Sequence, residues 1–172
     1  VFSIALFALL LTTAAVAQKL AVVDVTAVLE GMPDYQKAQE QLDKVATQWR
    51  QEIAVEQDKI KGLYSKYQAE QVLLSEDMKR QREEEITAKE KEVRELQRQK
   101  FGPEGALFKK REELVKPLQD KVYNAVQKMA ASKAYDVIFD KSADLSIFYA
   151  DNKIDKSDEV LKELGISSPT KK

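Results

Sequence analysis

The sequence predicts an α+β fold, mostly α: a long antiparallel helical-hairpin arm inserted in a small β-rich body. Three observations carry that prediction. Leu20-Ala21-Val22-Val23-Asp24-Val25 is a short apolar, β-branched run of the kind buried on both faces of a sheet. Residues 34–134 then keep a helical period through a highly charged stretch. Beyond residue 134 strand-like runs return, and a last short helix closes the chain.

The chain opens with VFSIALFALLLTTAAVAQ, uncharged from Val1 to Ala17 and closing on Ala15-Val16-Ala17, the small-x-small pattern of a signal peptidase site. The run is short for a membrane span, which needs about 20 residues, and it lacks a basic start. The expectation is a cleaved signal peptide over 1–17, an exported chain beginning at Gln18, and no stable membrane insertion after cleavage. An uncleaved N-terminal anchor is the alternative. A lipid-modified form is excluded because there is no cysteine.

The expected strand is followed by Thr26, which can cap a short helical turn through Glu30. Gly31-Met32-Pro33 ends that turn, and Pro33 suits the first turn of a new helix. Tyr35, Ala38, Leu42, Val45 and Trp49 then form a heptad seam. A second seam, offset by one residue, runs through Ala46, Trp49, Ile53, Ile60, Leu63, Tyr67 and Leu74, so a stutter is expected near Trp49. Glu56 and Glu70 fall on the second seam and thin its packing. Residues 76–100 are almost wholly polar, with Met78, Ile86, Val93 and Leu96 as the chief apolar points. They read as a solvated helical arm. After Phe101-Gly102-Pro103-Glu104-Gly105, helical spacing resumes at Leu107, Arg111, Leu114, Leu118, Val122, Ala125 and Met129, with Pro117 expected to kink the helix. Residues 135–140 and 145–150 read as two strands joined by a loop at 141–144. Asp155 or Ser157 can cap a helix through Leu164, Gly165 stops it, and residues 166–172 are a frayed tail.

Both ends of the helical insertion (34–134) must return to one small body (20–33 plus 135–165), so its two legs should be comparable in length. A turn at 101–105 would give legs of roughly 100 and 45 Å; a tip at 72–77 gives roughly 60 and 90 Å. Ser75 is a good N-cap there, with Glu76 and Asp77 at the positive end of the next helix. The tip is therefore placed at 72–77, and 101–105 becomes a break in the returning leg. Gly102, Pro103 and Gly105 are its candidate hinge.

Without cysteine or histidine, the chain lacks thiolate metal sites, the usual general base and the commonest metal ligand. No Gly-rich cradle or catalytic signature is present, so no enzyme activity, catalytic residue, metal or cofactor is expected. Charged residues make up 33% of the chain, yet the formal net charge is −1 and the signs are interleaved. That pattern fits a salt-bridged helical surface and excludes nucleic acid held by bulk positive charge.

The expected body is only about 45 residues, too small to supply a sufficient core alone. Its apolar positions Val22, Val23, Val25, Val137, Ile138, Phe139, Ile147 and Phe148 need a further covering surface, and self-association is the economical one.

The signal segment, KLAVVDV, the long charged helical hairpin and YDVIFDKSADLSIFYADNKIDKSDEVLKELGI together resemble the OmpH/Skp family of periplasmic chaperones. FGPEGALFKKREELVKPLQDKVYNAVQKMA is similar to the form of that family found in Bacteroidetes-type bacteria. The resemblance covers essentially the whole mature chain and implies a homotrimer: strands of three protomers form the body, and three arms extend from it like a jellyfish around a cavity. It implies an ATP-independent holdase that receives unfolded outer-membrane β-barrel proteins in the periplasm. Such clients expose alternating apolar side chains and unpaired backbone. Well-known members are strongly basic. Here Lys79, Arg80 and Arg82 are followed at once by Glu83, Glu84 and Glu85, so no lipopolysaccharide site is carried over. The residues expected to contact client are Leu63, Tyr64, Tyr67, Val72, Leu73, Leu74 and Met78; packing between the legs is the alternative for each. A structural or scaffolding coiled coil of the cell envelope is the alternative function.

Overall fold

The computed structural model describes residues 18–143 and 147–167. The expected signal peptide (1–17), residues 144–146 and the end of the tail (168–172) lie outside the described residues. The chain divides into two compact units. One comprises the described residues up to Gly31 and those from Val122 onward; the other is Met32 to Lys121.

In the first unit β1 (Leu20–Val23) pairs in parallel with β2 (Val137–Asp140), Leu20 opposite Val137 and Val23 opposite Asp140. Parallel neighbours need a long crossover, and the helices between the strands supply it. The other edge of β1 is taken by the segment around Asp155. Val22 N–H donates to the Ile154 carbonyl at 2.9 Å, and the Val22 carbonyl accepts from Lys156 N–H at 2.8 Å. With both edges occupied, β1 is the central strand, and Ala21, Val22 and Val23 are buried.

Helix α1 (Val25–Glu30) follows at once. Its N-cap is Asp24, whose Oδ1 accepts from Ala27 N–H at 2.8 Å. This corrects two expectations, a cap at Thr26 and a strand reaching Val25. Asp24 already has the extended backbone that an N-cap requires, so the helix starts as the strand ends, and Val25 is a half-buried first helical residue. Helix α5 (Ser157–Glu163) packs on α1, and Val28, Leu29, Val160 and Leu161 are buried. Gly165, at φ +74, ends it in the left-handed region where glycine carries no Cβ penalty.

The two-strand hairpin expected at 135–150 is not what forms. Ile147 is half-buried and Phe148 is 98% exposed, in a stretch without regular structure. Leu145 and Ser146 lie outside the described residues. β2 pairs with β1 along one edge only, and the chain beyond residue 147 leads instead to the far edge of β1, where the Ile154–Lys156 stretch is bonded. Nor are all β2 residues core, since Val137 and Phe139 stay about two-fifths exposed and Ile138 is half-buried.

A repeated triplet ties the strand ends to α1. In Asp140-Lys141-Ser142 and again in Asp155-Lys156-Ser157, the aspartate Oδ1 accepts from the serine N–H and Oγ two residues on. Each serine Oγ then accepts a backbone N–H from the β1–α1 junction: Ser142 from Thr26 at 3.2 Å, Ser157 from Asp24 at 2.9 Å. Lys141 lies across them, 2.7 Å from Asp155 and 3.7 Å from Asp24. Partial burial pushes the Asp155 carboxyl up, but the hydrogen bonds from Lys141 and from both donors of Ser157 outweigh it and hold it at about 2.

The second unit is a helical hairpin. Its legs are α2 (Pro33–Glu70) and α3 (Glu76–Phe101), joined by a 3-10 turn at Gln71–Leu73 and the extended Leu74. Pro33 opens α2, where its missing N–H costs nothing. Ser75 caps α3 by accepting from Met78 N–H, with Glu76 and Asp77 in the first turn. Helix α4 (Ala106–Lys133) runs through Pro117 and contributes Val115 and Leu118 to the buried set of this unit; Val122, Ala125 and Met129 are buried in the first unit.

Cross-leg contacts fix the register. Tyr67 meets Glu83, Tyr64 meets Glu90, Glu52 meets Lys100, and Trp49 packs edge-to-face on Phe101 at 6.2 Å. Beyond the break Asp34 meets Lys121 at 3.5 Å. From Phe101 to Lys121 is 20 residues, against 15 from Asp34 to Trp49. The break therefore absorbs about five residues of the returning leg.

It does so with a closed turn. Gly105 N–H donates to the Gly102 carbonyl at 2.9 Å, Pro103 occupies the second position, and Glu104 takes a positive φ of 57 at the third. Those are the marks of a type II turn. A Cβ on Gly102 would lie 2.4 Å from the Arg98 carbonyl oxygen, and one on Gly105 would lie 2.8 Å from that of Gly102. Glycine is needed at both for close approach.

Candidate functional site

The candidate site is the distal part of the hairpin. Its tip carries a small aliphatic cluster in open solvent: Val72 is 89% exposed, Leu73 84% and Met78 49%, with Leu74 half-buried beside them. The turn geometry causes this. A single 3-10 turn followed by an extended residue gives Val72 and Leu73 no opposing helix to pack on.

Below the tip the apolar seam is thin. Along the outgoing leg the last buried residue is Ile53, and Ile60, Leu63 and Tyr67 are only half-buried. Helix α3 buries just Ile86 and Val93. Its facing stripe, Glu83, Ile86, Glu90, Val93, steps by three, four and three residues, so carboxylates alternate with apolar side chains along the seam. Each carboxylate is met by a tyrosine. Tyr64 OH donates to Glu90 Oε1 at 2.8 Å, and Tyr67 OH donates to Glu83 Oε1. These bonds, with lesser contributions from burial and the carboxylate charge, raise both phenols above their ordinary value.

Of the residues expected to contact client, Val72, Leu73 and Met78 form an accessible surface; Leu63, Leu74 and Tyr67 are drawn partly into the seam, and Tyr64 is bonded across it while remaining 43% exposed. Sequence reasoning passed over Glu83 and Glu90. The signal that finds them is their heptad spacing with Ile86 and Val93, which puts two carboxylates on the packing face of a helix otherwise read as solvated. Charge at the tip is locally cancelled. Lys79, Arg80 and Arg82 pair with Glu76, Asp77 and Glu85 of their own helix at 2.7, 3.1 and 3.0 Å. Such exposed pairs add little stability, but they leave no cationic patch among these residues.

The first unit has a surface of its own. Leu20, Val137, Phe139, Phe148, Tyr149 and Ile154 are all between 36% and 98% exposed. No described helix is long and apolar enough to cross a membrane.

Comparison with known proteins agrees with this architecture. The family model described as "Outer membrane protein (OmpH-like)" matches residues 19–164. An uncharacterized protein of Aquifex aeolicus (strain VF5) is 35% identical over 144 residues, covering 84% of each chain. Among solved structures, a protein of Caulobacter crescentus CB15 described as a candidate OmpH-like outer membrane chaperone superposes with a TM-score of 0.70. It covers 93% of this chain and 92% of its own at 12% identity, a likeness of fold. Small parallel sheet, charged helical hairpin and family match converge: the chain belongs to the OmpH-like outer membrane protein family.

Proposed function

We propose that the protein is an ATP-independent holdase of the periplasm that binds unfolded outer-membrane β-barrel proteins and prevents their aggregation. The observation that carries this reading is the exposed aliphatic cluster of Val72, Leu73 and Met78 at the end of an otherwise charged hairpin. An unfolded barrel strand offers alternating apolar side chains and unpaired backbone. Several small apolar contacts on a solvated scaffold can hold it without a deep pocket. Membership of the OmpH-like family supports the same conclusion.

The working assembly is a homotrimer in which Leu20, Val137, Phe139, Phe148, Tyr149 and Ile154 are covered by neighbouring copies. What supports it is the exposure in one chain of six large apolar side chains on or beside the small sheet, since apolar surface left uncovered in one chain is what self-association would bury. Client is received between the three arms. The turn of Gly102, Pro103 and Gly105 is a joint in each arm that lets the cavity fit clients of different size. Pro103→Ala adds no Cβ to the turn and frees its φ, so it should loosen the joint and change the range of clients held; an unchanged range would argue against the joint.

The deciding experiment is light scattering of the chain from Gln18 onward, alone and with a urea-unfolded outer-membrane protein diluted into buffer. A trimer that suppresses client aggregation near stoichiometric ratio is expected. A stable monomer that leaves aggregation unchanged would sink the proposal, and a spacer of the cell envelope would behave that way.

A further inference from the structure

The two tyrosine–glutamate bonds occupy the part of the hairpin where the seam is weakest. Outward from Ile53 no described residue of α2 is buried, and only Ile86 and Val93 are buried on α3. Coiled-coil legs are held by apolar seam positions, and here two of four consecutive seam positions on α3 are carboxylates. Glu83 is exposed and Glu90 half-buried, with Arg94 of its own helix 3.7 Å away, so neither adds the apolar packing that a seam position otherwise supplies. Tyr64 and Tyr67, three residues apart on α2, reach them across the seam, and their partners Glu90 and Glu83 bracket Ile86. Both side chains are long enough to bond across a gap that two aliphatic residues would have to close by packing. The distal hairpin is thus held by a few directional bonds to charged acceptors in contact with water. Bonds of that kind exchange readily with solvent or with a peptide, whereas a packed seam opens only by losing all its contacts together.

We infer that Glu83 and Glu90 are positioning residues: with Tyr67 and Tyr64 they form a clasp that keeps the distal legs together and opens when client enters, exposing Ile60, Leu63 and Leu74 to an extended apolar segment. This rests on the holdase reading above. The bonded form presents Val72, Leu73 and Met78 for first contact; the open form adds the half-buried seam.

Hydrogen–deuterium exchange of the full chain without client tests the clasp. In Tyr64→Phe/Tyr67→Phe the rings stay and the bonds go. Exchange across residues 56–90 is expected to rise about thirtyfold, the worth of two ordinary net hydrogen bonds, while residues 20–31 and 122–143 stay unchanged. Glu83→Gln/Glu90→Gln keeps an acceptor oxygen at each site and should retain most of the protection that Glu83→Ala/Glu90→Ala loses. Exchange unchanged in the tyrosine variant, or equal in the glutamine and alanine variants, overturns the clasp. Release is read separately. The chain has no native cysteine, so Tyr64→Cys/Glu90→Cys can be joined by a short bismaleimide and compared with the same variant capped by N-ethylmaleimide. The joined form should hold about half as much urea-unfolded barrel protein or less; equal capacity overturns the opening. A wild-type chain that holds no client overturns the opening and the holdase reading together, while exchange without client still decides whether the clasp exists.

Discussion

Replacing Gly102 by alanine puts a methyl group where the break in the returning leg has no room for one. The added Cβ would lie 2.4 Å from the Arg98 carbonyl oxygen, roughly 0.9 Å inside the closest ordinary carbon–oxygen approach. The clash is with backbone, so no rotamer change relieves it. That carbonyl also accepts Gly102 N–H at 2.8 Å, the bond that ends α3. Moving the two apart gives up the bond, about 1 kcal/mol, and the remaining displacement costs about 1–2 kcal/mol as overpacking does elsewhere. Gly102→Ala should therefore destabilise by about 2–3 kcal/mol, or a fall in Tm of roughly 4–10 °C for a chain of this size. Glu104→Gly should do the reverse. It relieves a side chain held at φ 57, worth ~1–2 kcal/mol, against ~0.5–1 kcal/mol for the added freedom of glycine in the unfolded chain, so a small gain is expected. Urea unfolding followed by the fluorescence of Trp49 is the assay, because this single tryptophan packs on Phe101 at the level of the turn. If Gly102→Ala stays within about 0.5 kcal/mol of wild type, the turn is not the closed, sterically required structure described here.

Three further outcomes are expected. Asp155 has a folded pKa near 2, below its ordinary 3.8, so its contribution is present above the ordinary value and disappears as pH falls through the folded one. Lowering pH from 5 to 2 should cost at most about 2 kcal/mol through this group, reduced by solvent screening, and Asp155→Asn should flatten that slope in thermal melts. Val72→Asp/Leu73→Asp should lower client holding several-fold with Tm within a degree or two, since both side chains are more than four-fifths exposed; an unchanged light-scattering curve would remove them from the client surface. Phe148→Asp should reduce the oligomer seen by sedimentation at micromolar concentration; an unshifted trimer would mean that this 98% exposed ring is not at the interface.

Local chemistry made much of the hairpin legible. Pro33 and Ser75 announce helix starts through groups that act within one turn, a missing N–H and a side-chain acceptor. Gly165 likewise marks a left-handed helix end. The body was less legible because strand pairing is decided between distant segments. Residues 145–150 have strand composition, but among the described residues the partner that β1 takes on its far edge is the later Ile154–Lys156 stretch, a choice that composition does not encode. Asp24 displaced Thr26 as cap because its carboxylate reaches Ala27 N–H from an already extended backbone. At the candidate site, the expected turn at 72–77 already marked Val72, Leu73 and Met78 as tip residues, and the structure leaves them exposed. Composition hid Glu83 and Glu90, because charge alone reads as solvent-facing until its spacing is compared with Ile86 and Val93.

The returning leg's surplus of about five residues changes which insertions and deletions the chain can tolerate. Removing one residue inside a helix turns everything beyond it by about 100°, which would swing Val115 and Leu118 off the packed face. A residue lost or gained within 102–105 falls where the chain is already out of helical step, so its cost falls on the closed turn rather than on the packed faces of the helices. The two legs can therefore drift in length independently over evolutionary time, provided the change falls at this one place. Relatives that differ in arm length should differ there, or by whole heptads matched in both legs.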